Sequence, residues 1–200
     1  LDLVFQRGST MHSLVPRDEN GRSNYRMGAL RPNQFGVDDA HVVEYVDSIA
    51  QASGEFLQIV NFNLADQQYA VAGTVAGLKA LEEDATKRAA ERGGKRPFMY
   101  VPGIDVPFHS TVLRSGVADF RTKLDERIPA EIDPAKLVGR YIPNLVARPF
   151  ELTREFAQSI LDVVPSDTVR NLLETEGAWD AALANPGVLT RTLLIELLCW

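Results

Sequence analysis

The chain has 200 residues, 45% hydrophobic and 24% charged, a balance that suits a folded protein with a buried core and fits no disordered class. Its formal net charge of -6 supplies no overall attraction to nucleic-acid phosphates or to an anionic lipid surface, so no nucleic-acid or membrane partner is expected. A lone cysteine, Cys199 in an apolar run, excludes an internal disulfide and fits a buried thiol in a reducing cytoplasm, and no apolar run approaches the roughly 20 residues of a membrane span.

Taken in order, residues 1 to about 14 have helical spacing, with Leu1, Val4, Phe5 and Met11 on one side. Pro16 breaks that helix, and the polar run Arg17 to Asn24 reads as a surface loop. Tyr25 to Leu30 reads as a strand, and Asp38 or Asp39 as the cap of a helix through Val42, Val43, Val46 and Ile49 that Gly54 ends. Two β-rich runs follow, Phe56 to Phe62 and Tyr69 to Gly73, with residues 63–67 as the turn of a hairpin. Thr74 is placed to cap the next helix, which Gly93-Gly94 stops, and Phe98 to Val101 is a last short strand. The order from 25 to 101 is therefore β-α-β-β-α-β, the split unit of ferredoxin-like folds.

After residue 101 the spacing of Val112, Val117, Phe120 and Leu124 suggests a helix, with Ser110 as its cap. Leu137 to Leu145 looks like a strand, limited to an edge or end by Pro143. Thr153 caps a helix through Ile160, and Asp167–Leu173 and Val188–Trp200 are further helices, the last preceded by an Asn185-Pro186-Gly187 turn. Three parts are expected: 1–24 and 102–200 in a larger lobe, and 25–101 as a subdomain inserted into it. Helical patterns run to both termini without start or stop signals, the expectation being a piece of a longer polypeptide.

The motifs that are missing narrow the chemistry. The sequence has no G-x-S-x-G elbow, phosphate loop, H-E-x-x-H or paired cysteines, and His12, His41 and His109 are far apart, so no metal is expected. His109 lies in the loop Val106-Pro107-Phe108-His109-Ser110-Thr111, where a neutral imidazole can take a proton from a nucleophile near neutral pH; a structural histidine fits the same residues. Ser110 is a poor nucleophile for it, since adjacent side chains on one loop rarely reach the needed geometry. Arg7 reads as a solvated helix arginine unless a carboxylate ligand lies above it, and Asn61 and Asn63 read as turn formers.

That loop resembles the catalytic-histidine motif of acyl-carrier-protein malonyltransferases, in particular the malonyl/palmitoyl transferase domain of type I fatty acid synthases. Phe5-Gln6-Arg7-Gly8-Ser9-Thr10-Met11 is similar to the family's R-G-x-x-M helix, Ile59-Val60-Asn61-Phe62-Asn63 to its hairpin, and Tyr141-Ile142-Pro143-Asn144-Leu145 with Arg148-Pro149-Phe150 to a later strand and loop. The resemblance runs in order from about residue 4 to 200. It implies an α/β-hydrolase-like acyltransferase lobe with a ferredoxin-like insertion, and Ser-His ping-pong transfer between CoA and an acyl carrier protein.

In that scheme His109 is the base, and Arg7, Phe108, Asn61, Asn63 and Asn144 contact substrate, Arg7 through the malonyl carboxylate. The nucleophilic serine belongs to a G-H-S-x-G elbow before Leu1, so this chain alone is expected to be inactive. No cofactor is implied beyond CoA thioesters and carrier phosphopantetheine as substrates. The implied partners are the acyl carrier protein domain, malonyl-CoA and the neighbouring domains of a large cytoplasmic, homo-oligomeric synthase. Two other readings remain open: a non-catalytic ferredoxin-like regulatory or interaction module, and the acyltransferase domain of a polyketide synthase.

Overall fold

The computed structural model describes residues 2–200, so Leu1, expected on the apolar side of the first helix, lies outside the described residues. The chain is a mixed α/β protein that divides into two compact units, one of residues 8–115 and one of 1–7 with 116–200. Helix α1 (Asp2–Leu14) contributes residues to both units. Val4 and Phe5, expected on its apolar side with Met11, are 73% and 70% exposed. Helical rotation explains this: Leu3, Arg7 and Thr10 share a face at i, i+4 and i+7, and Thr10 is buried while Leu3 and Arg7 are half-buried.

The 8–115 unit is built on one antiparallel sheet of β1 (Tyr25–Leu30), β2 (Leu57–Leu64), β3 (Gln68–Thr74) and β4 (Phe98–Tyr100), in the order β2-β3-β1-β4. Helices α2 (Val42–Ser53) and α3 (Val75–Arg92) pack with the sheet around one core that includes Leu30, Val46, Tyr69, Val71, Leu78, Leu81 and Phe98. Each such side chain, moved fully out of water, contributes about 2 kcal/mol before entropy is counted. Gly28 sits in mid-strand, where a β-carbon would run into the ring of Phe98. Both helices end on a left-handed glycine, Gly54 (φ 68°) and Gly93 (φ 73°), and the Thr74 hydroxyl accepts the Gly77 N–H at 3.1 Å to start α3.

Tyr45 of α2 donates to Asp84 of α3 at 2.8 Å, and Arg88 Nε donates to the same carboxylate at 2.6 Å, which ties the two helices together. Neither Asp38 nor Asp39 caps α2. His41 stands at that position without a side-chain cap; Asp38 is engaged by the His41 N–H and ring, and Asp39 by the hydroxyl of Tyr69. Asn61 and Asn63 are strand residues rather than turn formers, the turn being made by residues 65–67 with Asp66 at φ 59°.

The other unit is helical: α4 (Val117–Arg127), α5 (Arg154–Leu161), α6 (Asp167–Glu174), α7 (Ala178–Leu183) and α8 (Pro186–Cys199). Caps are set locally by Thr153, Ser166 and Asn185, whose side chains accept from the first turns of α5, α6 and α8. Pro186 is the first residue of α8 rather than part of a turn before it, since a helix's first N–H needs no internal partner. Residues 111–116, expected as regular helix, form a 3-10 segment instead.

The expected strand at 137–145 is absent. Its backbone makes turn bonds, with Val138 N–H to the Pro134 carbonyl at 2.8 Å and Tyr141 N–H to Leu137 at 2.9 Å, and meets Phe150 through two further bonds (Gly139 N–H to the Phe150 carbonyl at 3.0 Å, Phe150 N–H to the Tyr141 carbonyl at 2.8 Å), but no neighbouring strand extends these into a ladder. Its apolar side chains Leu137, Tyr141 and Leu145 pack against a core of Phe150, Phe156, Ile160, Leu189 and Leu193. These three side chains are half-buried, and the local apolar run did not encode the backbone they sit on. Glu196 of α8, fully buried, receives both prongs of the Arg121 guanidinium from α4 and the Ser166 hydroxyl at 2.7 Å.

Candidate active site

His109 occupies the third position of a tight turn over Pro107–Ser110, closed by the Ser110 N–H to the Pro107 carbonyl at 3.2 Å. Its φ of 62° lies in the left-handed region, which costs a residue with a β-carbon roughly 1–2 kcal/mol and is normally left to Gly or Asn. Buried residues flank it, Val106 and Pro107 on one side and Ser110 on the other, while the histidine itself is exposed. The turn therefore projects an imidazole outward from a fixed base. Phe108 beside it is half-buried.

Ser110 does not act as a helix cap. Its hydroxyl donates to the Pro107 carbonyl at 2.7 Å inside the turn and is 5% exposed, which also removes it as a partner nucleophile. The following segment is held by β2 instead. The Gln58 side-chain oxygen accepts the Thr111 N–H at 2.9 Å and the Thr111 hydroxyl at 3.1 Å. On the other side of the turn, Asp105 takes both prongs of Arg17 at 2.5 and 3.1 Å, and Arg17 also donates to the Gly21 carbonyl at 2.8 Å. The hydrogen bonds and charge of Arg17 hold the Asp105 carboxyl below the usual carboxylate range. The histidine turn is thus braced four residues before and two residues after His109.

Asn61 and Asn63 lie exposed toward the far end of β2, in the same 8–115 unit as Phe108 and His109. Arg7 and Asn144 belong to the other unit, Arg7 on α1 and Asn144 exposed in a turn. Arg7 is half-buried and has no carboxylate partner among the described residues. A guanidinium in that condition keeps its paired donors available for a ligand carboxylate. Gln58 and the Arg17–Asp105 pair escaped the sequence reading, since their partners lie 53 and 88 residues away and no local pattern marks them.

No family model matches the sequence. Fatty acid synthase 2 of Mycosarcoma maydis is 40% identical over 236 aligned residues that take in all of this chain and 6% of that protein. The fatty acid synthase β subunits of Schizosaccharomyces pombe and Saccharomyces cerevisiae are 35% and 33% identical, over 90% and 87% of this chain and 11% and 10% of theirs. The chain is homologous to a segment of fungal fatty acid synthase β subunits. This synthase segment thus spans roughly a tenth or less of the length of these relatives. Among solved structures, the malonyl CoA-acyl carrier protein transacylase of Coxiella burnetii matches with a TM-score of 0.54 and 18% identity, covering 97% of this chain and 61% of that one. At that identity the likeness establishes a shared acyltransferase fold. Within the synthase segment, the described residues hold no His, Cys, Asp and Glu cluster suited to a metal, and no described helix is long and apolar enough to cross a membrane.

Proposed function

We propose that the segment forms part of a malonyl/palmitoyl transferase site that moves malonyl and long acyl groups between CoA and an acyl carrier protein. The observation that carries this reading is the exposed His109 held at φ 62° within a chain aligned over its full length to a fungal synthase. A strained, braced turn that presents an imidazole suits a base whose position must not drift. The sheet order and the β-α-β-β-α-β sequence support reading 25–101 as the ferredoxin-like insertion of the family.

In the proposed reaction, His109 takes the proton of a serine hydroxyl supplied from outside these 200 residues. The serine oxygen bonds the thioester carbon, the C–S bond breaks, and the proton passes to the departing CoA thiolate. The carrier thiol then reverses these steps and leaves with the acyl group. Arg7 pairs with the malonyl carboxylate; Phe108, Asn61, Asn63 and Asn144 shape the substrate contacts. Acyl carrier protein, CoA thioesters and other synthase domains are the partners this chemistry requires, in a cytosolic homo-oligomer with no bound cofactor at this site.

The test uses the full-length protein that carries this segment. His109→Ala should abolish malonyl loading, and Arg7→Ala should reduce malonyl transfer much more than acetyl or palmitoyl transfer. Unchanged malonyl transfer in both variants would rule the reading out.

A further inference from the structure

The loop that connects α1 to β1 frames an open cleft of about 450 Å³ that the transfer chemistry does not use, lined by Pro16, Arg17, Asp18, Arg22, Ser23, Asn24 and Arg26. Three of its seven lining residues are arginines. Asp18, the one lining carboxylate, is occupied by its own loop, accepting the N–H groups of Asn20 and Arg22 at 2.9 and 2.8 Å and Arg22 Nε at 3.3 Å. Asp105 faces the cleft's charges from the histidine loop and is engaged by Arg17. Arg26 is held differently. One of its terminal nitrogens donates to the carbonyls of Ser23 at 2.8 Å and Tyr25 at 2.6 Å; it makes no hydrogen bond or ion pair with a carboxylate among the described residues, although its charge, after that of Arg17, also helps to hold the Asp105 carboxyl low.

An arginine hydrogen-bonded to carbonyls keeps its positive charge for a ligand, and three guanidinium groups around one cleft suit a phosphate rather than an acyl chain. We infer that this cleft binds the phosphate groups of the CoA thioester. The identity of the ligand rests on the proposed transferase function. CoA is favoured over the carrier's phosphopantetheine because it brings a pyrophosphate and a 3′-phosphate to several guanidinium groups, whereas the carrier brings one phosphodiester. Arg17 joins the cleft to the loop of His109 through Asp105.

Arg26→Gln and Arg22→Gln in the full-length protein are compared with malonyl-CoA, its 3′-dephospho analogue and malonyl-pantetheine as donors. Arg22 is largely exposed, so its variant keeps the test open if Arg26→Gln fails to fold. KM for malonyl-CoA should rise about tenfold with kcat unchanged. The increase should shrink for the dephospho donor and vanish for malonyl-pantetheine, with KM for the carrier protein constant. An equal loss with all donors, or a rise confined to the carrier protein, overturns the proposal. If the parent protein transfers no malonyl group, the transferase reading has failed, and calorimetry with adenosine 3′,5′-bisphosphate then tests the cleft. Binding that weakens about tenfold in Arg22→Gln upholds a phosphate site, and no binding to the parent overturns it.

Discussion

The Gln58 side-chain oxygen accepts two hydrogen bonds from Thr111, one from its backbone N–H at 2.9 Å and one from its hydroxyl at 3.1 Å. A strand residue thereby fixes the chain two residues past His109. Replacing it with Leu should lower kcat for malonyl transfer by about tenfold, the worth of one to two ordinary hydrogen bonds, with little change in KM. Gln58→Glu keeps the accepting oxygen and should retain most of the rate. Steady-state kinetics of the two variants in the full-length protein check this.

The left-handed backbone at His109 sets the relative stability of two substitutions. A glycine there should be more stable than an alanine by about 1 kcal/mol, although glycine is normally the weaker choice, because alanine alone carries the β-carbon penalty at positive φ. Urea denaturation of His109→Gly and His109→Ala measures the difference, and both should be inactive in transfer.

Burial alone would raise the Glu196 carboxyl, but the hydrogen bonds from Arg121 and Ser166 and the charge of Arg121 outweigh it and hold the group below its usual range. A carboxyl depressed in the fold contributes stability that is fully present above its unfolded pKa and is lost as pH falls through the lower folded value. Chemical denaturation between about pH 5 and pH 2 should therefore show a steep acid loss that flattens in Glu196→Gln. Arg121→Leu, which strands the buried carboxylate, should cost about 3 kcal/mol near neutral pH.

Cys199 is buried, and that burial pushes its thiol up to about 12. Near pH 8 it carries almost no thiolate, so alkylation by iodoacetamide should be slow in the native protein and fast once denaturant is added. Mass spectrometry over time distinguishes the two.

Features that depend on neighbouring residues were legible in the sequence. Thr74 and Thr153 announce helices and Gly54 and Gly93 end them, because capping is settled within four residues. The β-α-β-β-α-β order from 25 to 101 was readable for the same reason. The false strand at 137–145 shows the limit: its apolar pattern marks burial, while a strand also needs a partner edge that no local run encodes. In the sequence, His109 and Arg7 are singled out only through the family resemblance. The left-handed turn and its two braces depend on contacts across 53 and 88 residues, which only the folded chain reveals.

Strand β2 forms one rim of the sheet and carries Phe62 and Leu64, 57% and 53% exposed, toward its end. A straight, apolar rim of this kind would template addition of a foreign strand. The register of β2 against β3 instead slips twice, between Ile59 and Asn61 and between Phe62 and Leu64. Each slip throws the outward-facing N–H and C=O groups out of a regular ladder, so the rim resists self-association even though its side chains are greasy. Straightening it by deleting one residue at either irregularity would convert the most exposed part of the sheet into a nucleus for aggregation.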